Sequence, residues 1–181
     1  KPPRARAFHA ACAVPVLPSE AGEEAVLVCG GFDGKVRLDD CALFDATKRQ
    51  WSTVDVAPAP GARTPLLPAC WHAAGAFDGG RVILFGGTGD ADSPVDEVAL
   101  LELSAHDDAG VLKHTAIIAP LDVGVPQVAP RPPARHGHCM AVLPNGMARE
   151  GMLGVLIFGG IASDRILDDC WQLELDAASP D

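Results

Sequence analysis

The sequence predicts an all-β chain made of a repeated four-stranded antiparallel sheet. Three observations carry that prediction. Three related passages recur along the 181 residues, each built on a Gly-Gly pair. The apolar segments are short, β-branched and bounded by glycine, proline or charge, as strands are. No segment carries helical periodicity over a useful length. A repeat of this size with four strands each is the signature of a β-propeller blade, and three such repeats make an incomplete ring.

The passages are VLVCGGFDGKVRLDDCALFD (26–45), VILFGGTGDADSPVDEVALLEL (82–103) and VLIFGGIASDRILDDCWQLELD (155–176). In each, an apolar run ends in Gly30–Gly31, Gly86–Gly87 or Gly159–Gly160. A polar loop follows, then an acidic pair beginning at Asp39, Asp96 or Asp168, then a second apolar run. The first glycine and first acid lie 9, 10 and 9 residues apart. Upstream of each pair a histidine opens a small, apolar stretch: FHAACAV at His9, WHAAGAF at His72 and GHCMAVL at His138. Arg6 and Arg135 precede the first and third histidines at the same offset, and the connectors 1–6, 57–68 and 119–133 are all proline-rich.

Within the first repeat the strands follow in order. HAACAVPVL is small and apolar, suited to a crowded inner strand. AVLVC is a continuous apolar run, as in a strand covered on both faces. ALFD is the third strand, DATKRQ is turn material, and QWSTVDV alternates as a fourth. The second repeat swells between its third and fourth strands, in LSAHDDAGVLKHTAII, with His114 where a tryptophan like Trp51 is expected. The third stops before a fourth strand. The expected blades are therefore 1–56, 57–118 and 119–181, all of one domain.

Composition narrows the function. The net charge of −10 and pI near 4.9 repel a phosphate backbone, so a nucleic-acid partner is not expected. The longest apolar run, GMLGVLIFGG, is too short to span a bilayer, and no membrane partner is expected. The chain opens on Lys1 without a cleavable leader, and the expectation is a segment of a larger propeller whose remaining blades lie elsewhere in the parent chain or on a partner. The six cysteines sit mostly in apolar runs with no CxxC pair, and are expected as free thiols in a reducing, cytoplasmic setting.

The order of Arg/His, apolar strand, Gly-Gly, acidic pair, apolar strand and Trp resembles the kelch repeat of kelch β-propellers, over essentially the whole chain. In the first repeat the match runs from Arg6 and His9 through Gly30–Gly31 and Asp39–Asp40 to Trp51. The second repeat departs from it by lacking the upstream arginine. The resemblance implies a kelch-type propeller segment of antiparallel blades and, most often, a non-catalytic protein-binding scaffold. It also admits the propeller portion of a sugar-modifying, oxidase or tRNA-modifying enzyme whose catalytic groups lie outside this segment, or a structural part of a cytoskeletal complex.

Each chemistry-bearing residue has a framework reading. The Gly-Gly pairs precede a loop and a strand, with no helix to complete a phosphate cradle. Asp39, Asp96 and Asp168 recur at one blade position and are expected to bond to turn amides. His9, His72 and His138 are expected as framework on inner strands, and no metal or cofactor is expected. His136 has no counterpart in the other repeats. Trp51 and Trp171 are expected to pack between blades. The chain has no tyrosine, which oxidase sites of the galactose oxidase type and sialidase nucleophiles require. The loops after Gly-Gly vary while the frame repeats, so Asp33, Lys35, Arg37, Asp90, Asp92, Asp164 and Arg165 are the expected partner contacts, with the swollen 104–114 segment beside them.

Overall fold

The computed structural model describes residues 1–17, 23–61, 70, 72–89, 93–121, 131–144 and 146–176. They are all-β except for one 3-10 turn at Asp78–Gly80. Blade 1 is β1 (Ala10–Pro15), β2 (Glu24–Cys29), β3 (Cys41–Asp45) and β4 (Gln50–Pro58), an antiparallel meander. Blade 2 repeats it with β5 (Ala73–Phe77), β6 (Arg81–Phe85), β7 (Val98–Asp108) and β8 (Val111–Pro120). Blade 3 has β9 (Cys139–Val142) and β10 (Met152–Phe158). A small hairpin, β11 (Ile161–Ala162) and β12 (Arg165–Ile166), precedes β13 (Cys170–Asp176), which pairs with β10. Among the described residues no helix is long and apolar enough to cross a membrane.

The inner strands β1, β5 and β9 lie side by side, and the blades stack face to face through two cores. Between blades 1 and 2 sit Val14, Leu27, Cys29, Leu43 and Val54 against Val82, Leu84, Leu101, Leu103 and Ile118. Between blades 2 and 3 sit Ile83, Phe85 and Val98 against Leu153, Val155, Ile157 and Leu175. Successive residues of a strand point to opposite faces. Val82 and Leu84 therefore enter one core while Ile83 and Phe85 enter the other, with none of the four more than 2% exposed. This is why the middle blade spells its second strand VILF without a polar interruption. Blade 1 keeps an open face, where Val26 is 39% exposed, in contrast to Leu27 beside it at 1%.

The segment 104–114, expected as a swollen loop, is instead the outer half of a long hairpin. β7 and β8 stay in register to Asp108 opposite Val111. The two residues between them, Ala109 (φ 54) and Gly110 (φ 83), both take the left-handed conformation of a type I′ turn. Asp107 closes it, its Oδ1 accepting the Gly110 N–H at 2.8 Å. The polar residues that suggested a loop are the solvent-facing half of an exposed ribbon. The register also moves the tryptophan position: Phe44 faces Trp51, while its counterpart Leu101 faces Ile118, so His114 is not the counterpart of Trp51.

The long hairpin changes how blades 1 and 2 join. β8 runs parallel to β4, pairing His114–Ile118 with Val54–Pro58. The eight strands thus form one sheet in the order β1-β2-β3-β4-β8-β7-β6-β5, folded so that its end strands β1 and β5 meet. It is a nearly closed, barrel-like wrap around the first core, and the outer edges of these blades satisfy each other.

The Gly-Gly pairs sit where β2, β6 and β10 end. The second glycine has φ 105 at Gly31 and 96 at Gly160. A Cβ on Gly160 would stand 2.8 Å from the His136 carbonyl oxygen and 2.9 Å from the His138 Cβ. Backbone shape and crowding both demand glycine there. Gly110 needs the shape alone, because nothing lies within 4 Å of its Cβ position. Gly110→Ala is therefore expected to lower unfolding free energy by about 1 kcal/mol, and Gly160→Ala by about 3 kcal/mol. Chemical denaturation of the two variants checks the order, and equal losses would count against it.

Candidate interaction rim

The lead-in segment and the Gly-Gly loop of each blade meet at one end of the sheets. In blade 1, Ala7 and Phe32 exchange backbone hydrogen bonds of 2.9 and 2.8 Å. Cys70 and Thr88 bridge at the same place in blade 2, and His136 and Ile161 in blade 3. His136 thus has a defined place, as one rung of that bridge, with N–H to the Ile161 carbonyl at 3.0 Å.

An arginine clasp fastens this end. The Arg135 guanidinium donates to both oxygens of Asp169, at 2.6 and 2.9 Å, and to the Gly159 carbonyl at 2.9 Å. Its Nε donates to the Pro133 carbonyl at 3.1 Å. Arg6 repeats this in blade 1, with Asp40 at 2.7 and 2.9 Å, Gly30 at 2.9 Å and the Arg4 carbonyl at 3.2 Å. The spacings agree, 34 residues to the acid and 24 to the glycine in both clasps. In blades 1 and 3 the acid that carries the clasp is the second of the pair, Asp40 and Asp169. The first acids, Asp39 and Asp168, stand exposed beside it, and Asp96 of blade 2 is exposed as well.

The Asp169 carboxyl is held down to about 2 by the bidentate Arg135 bond first and by the Trp171 Nε1–H bond, 2.7 Å long. Hydrogen bonding to Arg6 lowers Asp40 in the same way and raises Arg6. Blade 2 has Ala69 and Glu97 at the two clasp positions, and its loop is fastened by neighbours. The Arg37 guanidinium donates to the Gly89 carbonyl, the Gly87 N–H donates to the Arg135 carbonyl at 2.9 Å, and the Arg135 N–H donates to the Val95 carbonyl at 3.1 Å.

The residues expected as partner contacts divide. Asp33 is part of its own loop: its Oδ1 accepts the Lys35 and Val36 N–H groups at 2.9 and 2.8 Å, and its Oδ2 takes Arg4 at 3.0 Å. Those two amide bonds, first Val36, lower its carboxyl below the ordinary range. Arg37 is turned toward blade 2. Lys35, Asp164 and Arg165 are exposed. Asp90 and Asp92 lie outside the described residues. Two exposed apolar side chains stand at the same tips and were missed by a reading based on charge: Val36, 50% exposed, and Ile166, 85% exposed. Their signal was present as a lone branched apolar residue inside each polar loop.

The inner histidines differ in burial. His9 is exposed, while His72 and His138 are 5% and 7% exposed. His138 stands edge-on against Phe85 of the preceding blade, ring centres 5.2 Å apart. Burial carries the His72 imidazole down to about 4, helped by His138 and His9, and carries His138 to about 4, helped by the Arg135 charge. Both rings are packed as core in the neutral form, and a backbone interaction with Phe85 partly offsets the fall at His138. Among the described residues no group of three His, Cys, Asp or Glu side chains is placed to hold a metal ion. Trp171 packs on the second core, whereas Trp51 packs on Phe44 of its own blade, centroids 4.9 Å apart.

No family model matches the chain. Among curated proteins it is 27% identical to the rat (Rattus norvegicus) Rab9 effector protein with kelch motifs over 154 residues, 84% of this chain and 34% of that protein. It is 31% identical to Adagio-like protein 1 of Oryza sativa subsp. japonica over 102 residues, 56% of this chain and 13% of that protein. Adagio protein 3 of Arabidopsis thaliana is 27% identical over 138 residues, 76% and 18% of the two chains. The chain thus spans about a third or less of the length of these relatives.

Removing Arg135, whose side chain is 0% exposed, strands a carboxylate and a glycine carbonyl, so Arg135→Ala is expected to cost about 3–5 kcal/mol. Asp40 is half exposed and water can replace Arg6, so Arg6→Ala is expected to cost about 1–2 kcal/mol by the same denaturation measurement. His72 titrates at about 4 folded against 6.5 unfolded, so the unfolded chain binds more protons between those values. Stability is full above pH 6.5 and declines as pH falls toward 4. His72→Phe is expected to flatten that decline in a pH series of thermal melts; an unchanged slope would refute the assignment.

Proposed function

Taking the chain as what its repeats and relatives make it, a segment of a kelch-repeat propeller, we propose that it is a non-catalytic scaffold that binds a protein partner through its Gly-Gly rim. The observation that carries this reading is the contrast between frame and tips. The clasps, glycines and bridges of blades 1 and 3 repeat at matched positions. The loops they support end differently, in Lys35 and Val36 on blade 1 and in Asp164, Arg165 and Ile166 on blade 3.

Each tip sets an exposed apolar side chain beside a charge. That pairing suits a protein surface, where an apolar contact supplies affinity and charge supplies selection. The relatives support the class of role. The rat protein is named as an effector that carries kelch motifs, which suits a protein-interaction role. The specific partner is not carried over with the name. Further blades, from the same polypeptide or from a partner, would cover the open face of blade 1. The buried, unpaired thiols fit a cytoplasmic location.

The test is recovery of binding partners from cell extract by the purified chain, quantified by mass spectrometry. Lys35→Glu combined with Asp164→Lys and Arg165→Glu is expected to reduce recovery roughly tenfold or more, with an unchanged thermal midpoint. Lys113→Glu, on the outer hairpin, is expected to leave recovery intact. Unchanged recovery with the triple variant would end the rim reading.

A further inference from the structure

The base of the blade 1 rim loop differs chemically from its two counterparts. Cys29 ends β2 and Cys41 begins β3, and the two are direct cross-strand partners. At the corresponding positions blade 2 pairs Phe85 with Val98, and blade 3 pairs Phe158 with Cys170. Blade 1 alone places two thiols opposite each other at the neck of the loop.

Their geometry goes beyond apolar packing. The Cys41 Sγ lies 2.7 Å from the Cys29 Sγ, inside the contact distance of two non-bonded sulfurs and only somewhat longer than the disulfide bond of about 2.05 Å. Directly opposed residues of an antiparallel pair have Cα atoms about 4.5–5.5 Å apart, within the span of about 4.4–6.8 Å that a disulfide bridges. Both side chains are 1% exposed and lie in the core between blades 1 and 2. Cys12, on β1, packs against the same core.

We propose that Cys29 and Cys41 are a disulfide-forming site that staples the neck of the blade 1 rim loop. The bond would close the segment that carries Gly30, Gly31, Asp33, Lys35, Arg37 and the clasp acid Asp40. The reaction needs a disulfide oxidant such as oxidised glutathione. One cysteine, as thiolate, attacks the glutathione disulfide, forming a mixed disulfide and releasing a glutathione thiolate that takes up the proton. The second cysteine then attacks the mixed disulfide at the protein sulfur, expelling a second glutathione. Two thiol protons and two electrons pass from the protein to two glutathione molecules.

The close approach of Cys41 first, and burial second, hold the Cys29 thiol well above its ordinary range, so little thiolate exists in the folded chain. Exchange in the native state is therefore slow, and the bond forms fastest as the loop closes during folding. In a reducing compartment the pair stays a dithiol. The site stands on the packing of blade 1 and is independent of what the rim binds.

The experiment refolds the full chain from denaturant in a mixture of reduced and oxidised glutathione. The mixture is quenched with acid, the chain is unfolded, free thiols are blocked with N-ethylmaleimide in denaturant, and the chain is mapped by mass spectrometry without reduction. The expected product is a Cys29–Cys41 linkage in most molecules, with Cys12, Cys70, Cys139 and Cys170 carrying maleimide. The oxidised chain is expected to melt about 5–10 °C above the reduced one. Cys41→Val, which copies Val98 of blade 2, is expected to remove both the linkage and the redox dependence of the midpoint. Maleimide on both Cys29 and Cys41 after refolding would overturn the proposal. So would a dominant linkage through Cys12. If Cys41→Val does not fold, the wild-type map still decides between these outcomes.

Discussion

The rim rests on one interaction, a buried guanidinium bound twice to a carboxylate and once to a glycine carbonyl. Arg135 is fully buried, and a buried cation is costly unless every donor finds an acceptor. Here the acceptors come from three parts of one blade: the lead-in at Pro133, the end of β10 at Gly159, and the start of β13 at Asp169. The penalty for leaving any of them unmade is what fixes their relative positions. Lysine could not substitute, since it lacks the planar fork that meets both carboxylate oxygens and the carbonyl together.

The same logic bears on the middle blade, whose sequence has Ala69 and Glu97 at the two matched positions. Blade 2 is covered on both faces, by Leu27 and Leu43 on one side and Val155 and Ile157 on the other. Its Gly-Gly loop is pinned from outside, by Arg37 of blade 1 and by the backbone of Arg135 of blade 3. A blade fastened by its neighbours can lose its own arginine. The outer edges follow a parallel course. The long β7–β8 ribbon lays β8 along β4, so two edges that would otherwise offer unpaired amides to other chains are used within the molecule.

Most of the frame was legible in the sequence because it rests on local rules repeated three times. Glycines at positive φ, period-two burial and the Arg-to-acid spacing all leave marks that alignment of the repeats exposes. What was not legible depends on contacts between repeats. In SAHDDAGVLKH the polar composition reads as a loop, and the ribbon rests on Asp107 closing a two-residue turn at Ala109–Gly110, while β4 holds only its base at His114–Ile118. The choice of Asp40 over Asp39 was hidden for a similar reason. Both acids occupy the turn, and only the reach of Arg6 selects one. Asp33 looked like a surface charge, yet its oxygens are spent on Lys35, Val36 and Arg4, a local capping pattern that the polar run FDGKVR already contained.

The surroundings of the inner histidines are decided by their neighbours and not by residue type. His9, His72 and His138 hold one position in three blades, but their surroundings differ with what lies against them. His138 meets Phe85 and a glycine of the preceding blade, and the absence of a side chain on Gly86 is what admits its ring, since a Cβ there would stand 2.8 Å from His138 Cε1. The Gly-Gly pair of one blade is thus shaped partly by the histidine of the next. That reciprocity ties two of the repeat's landmarks into one packing unit. Burial gives His72 and His138 an apolar surround in which the neutral form is favoured, so a histidine at these two positions fits how the blades stack.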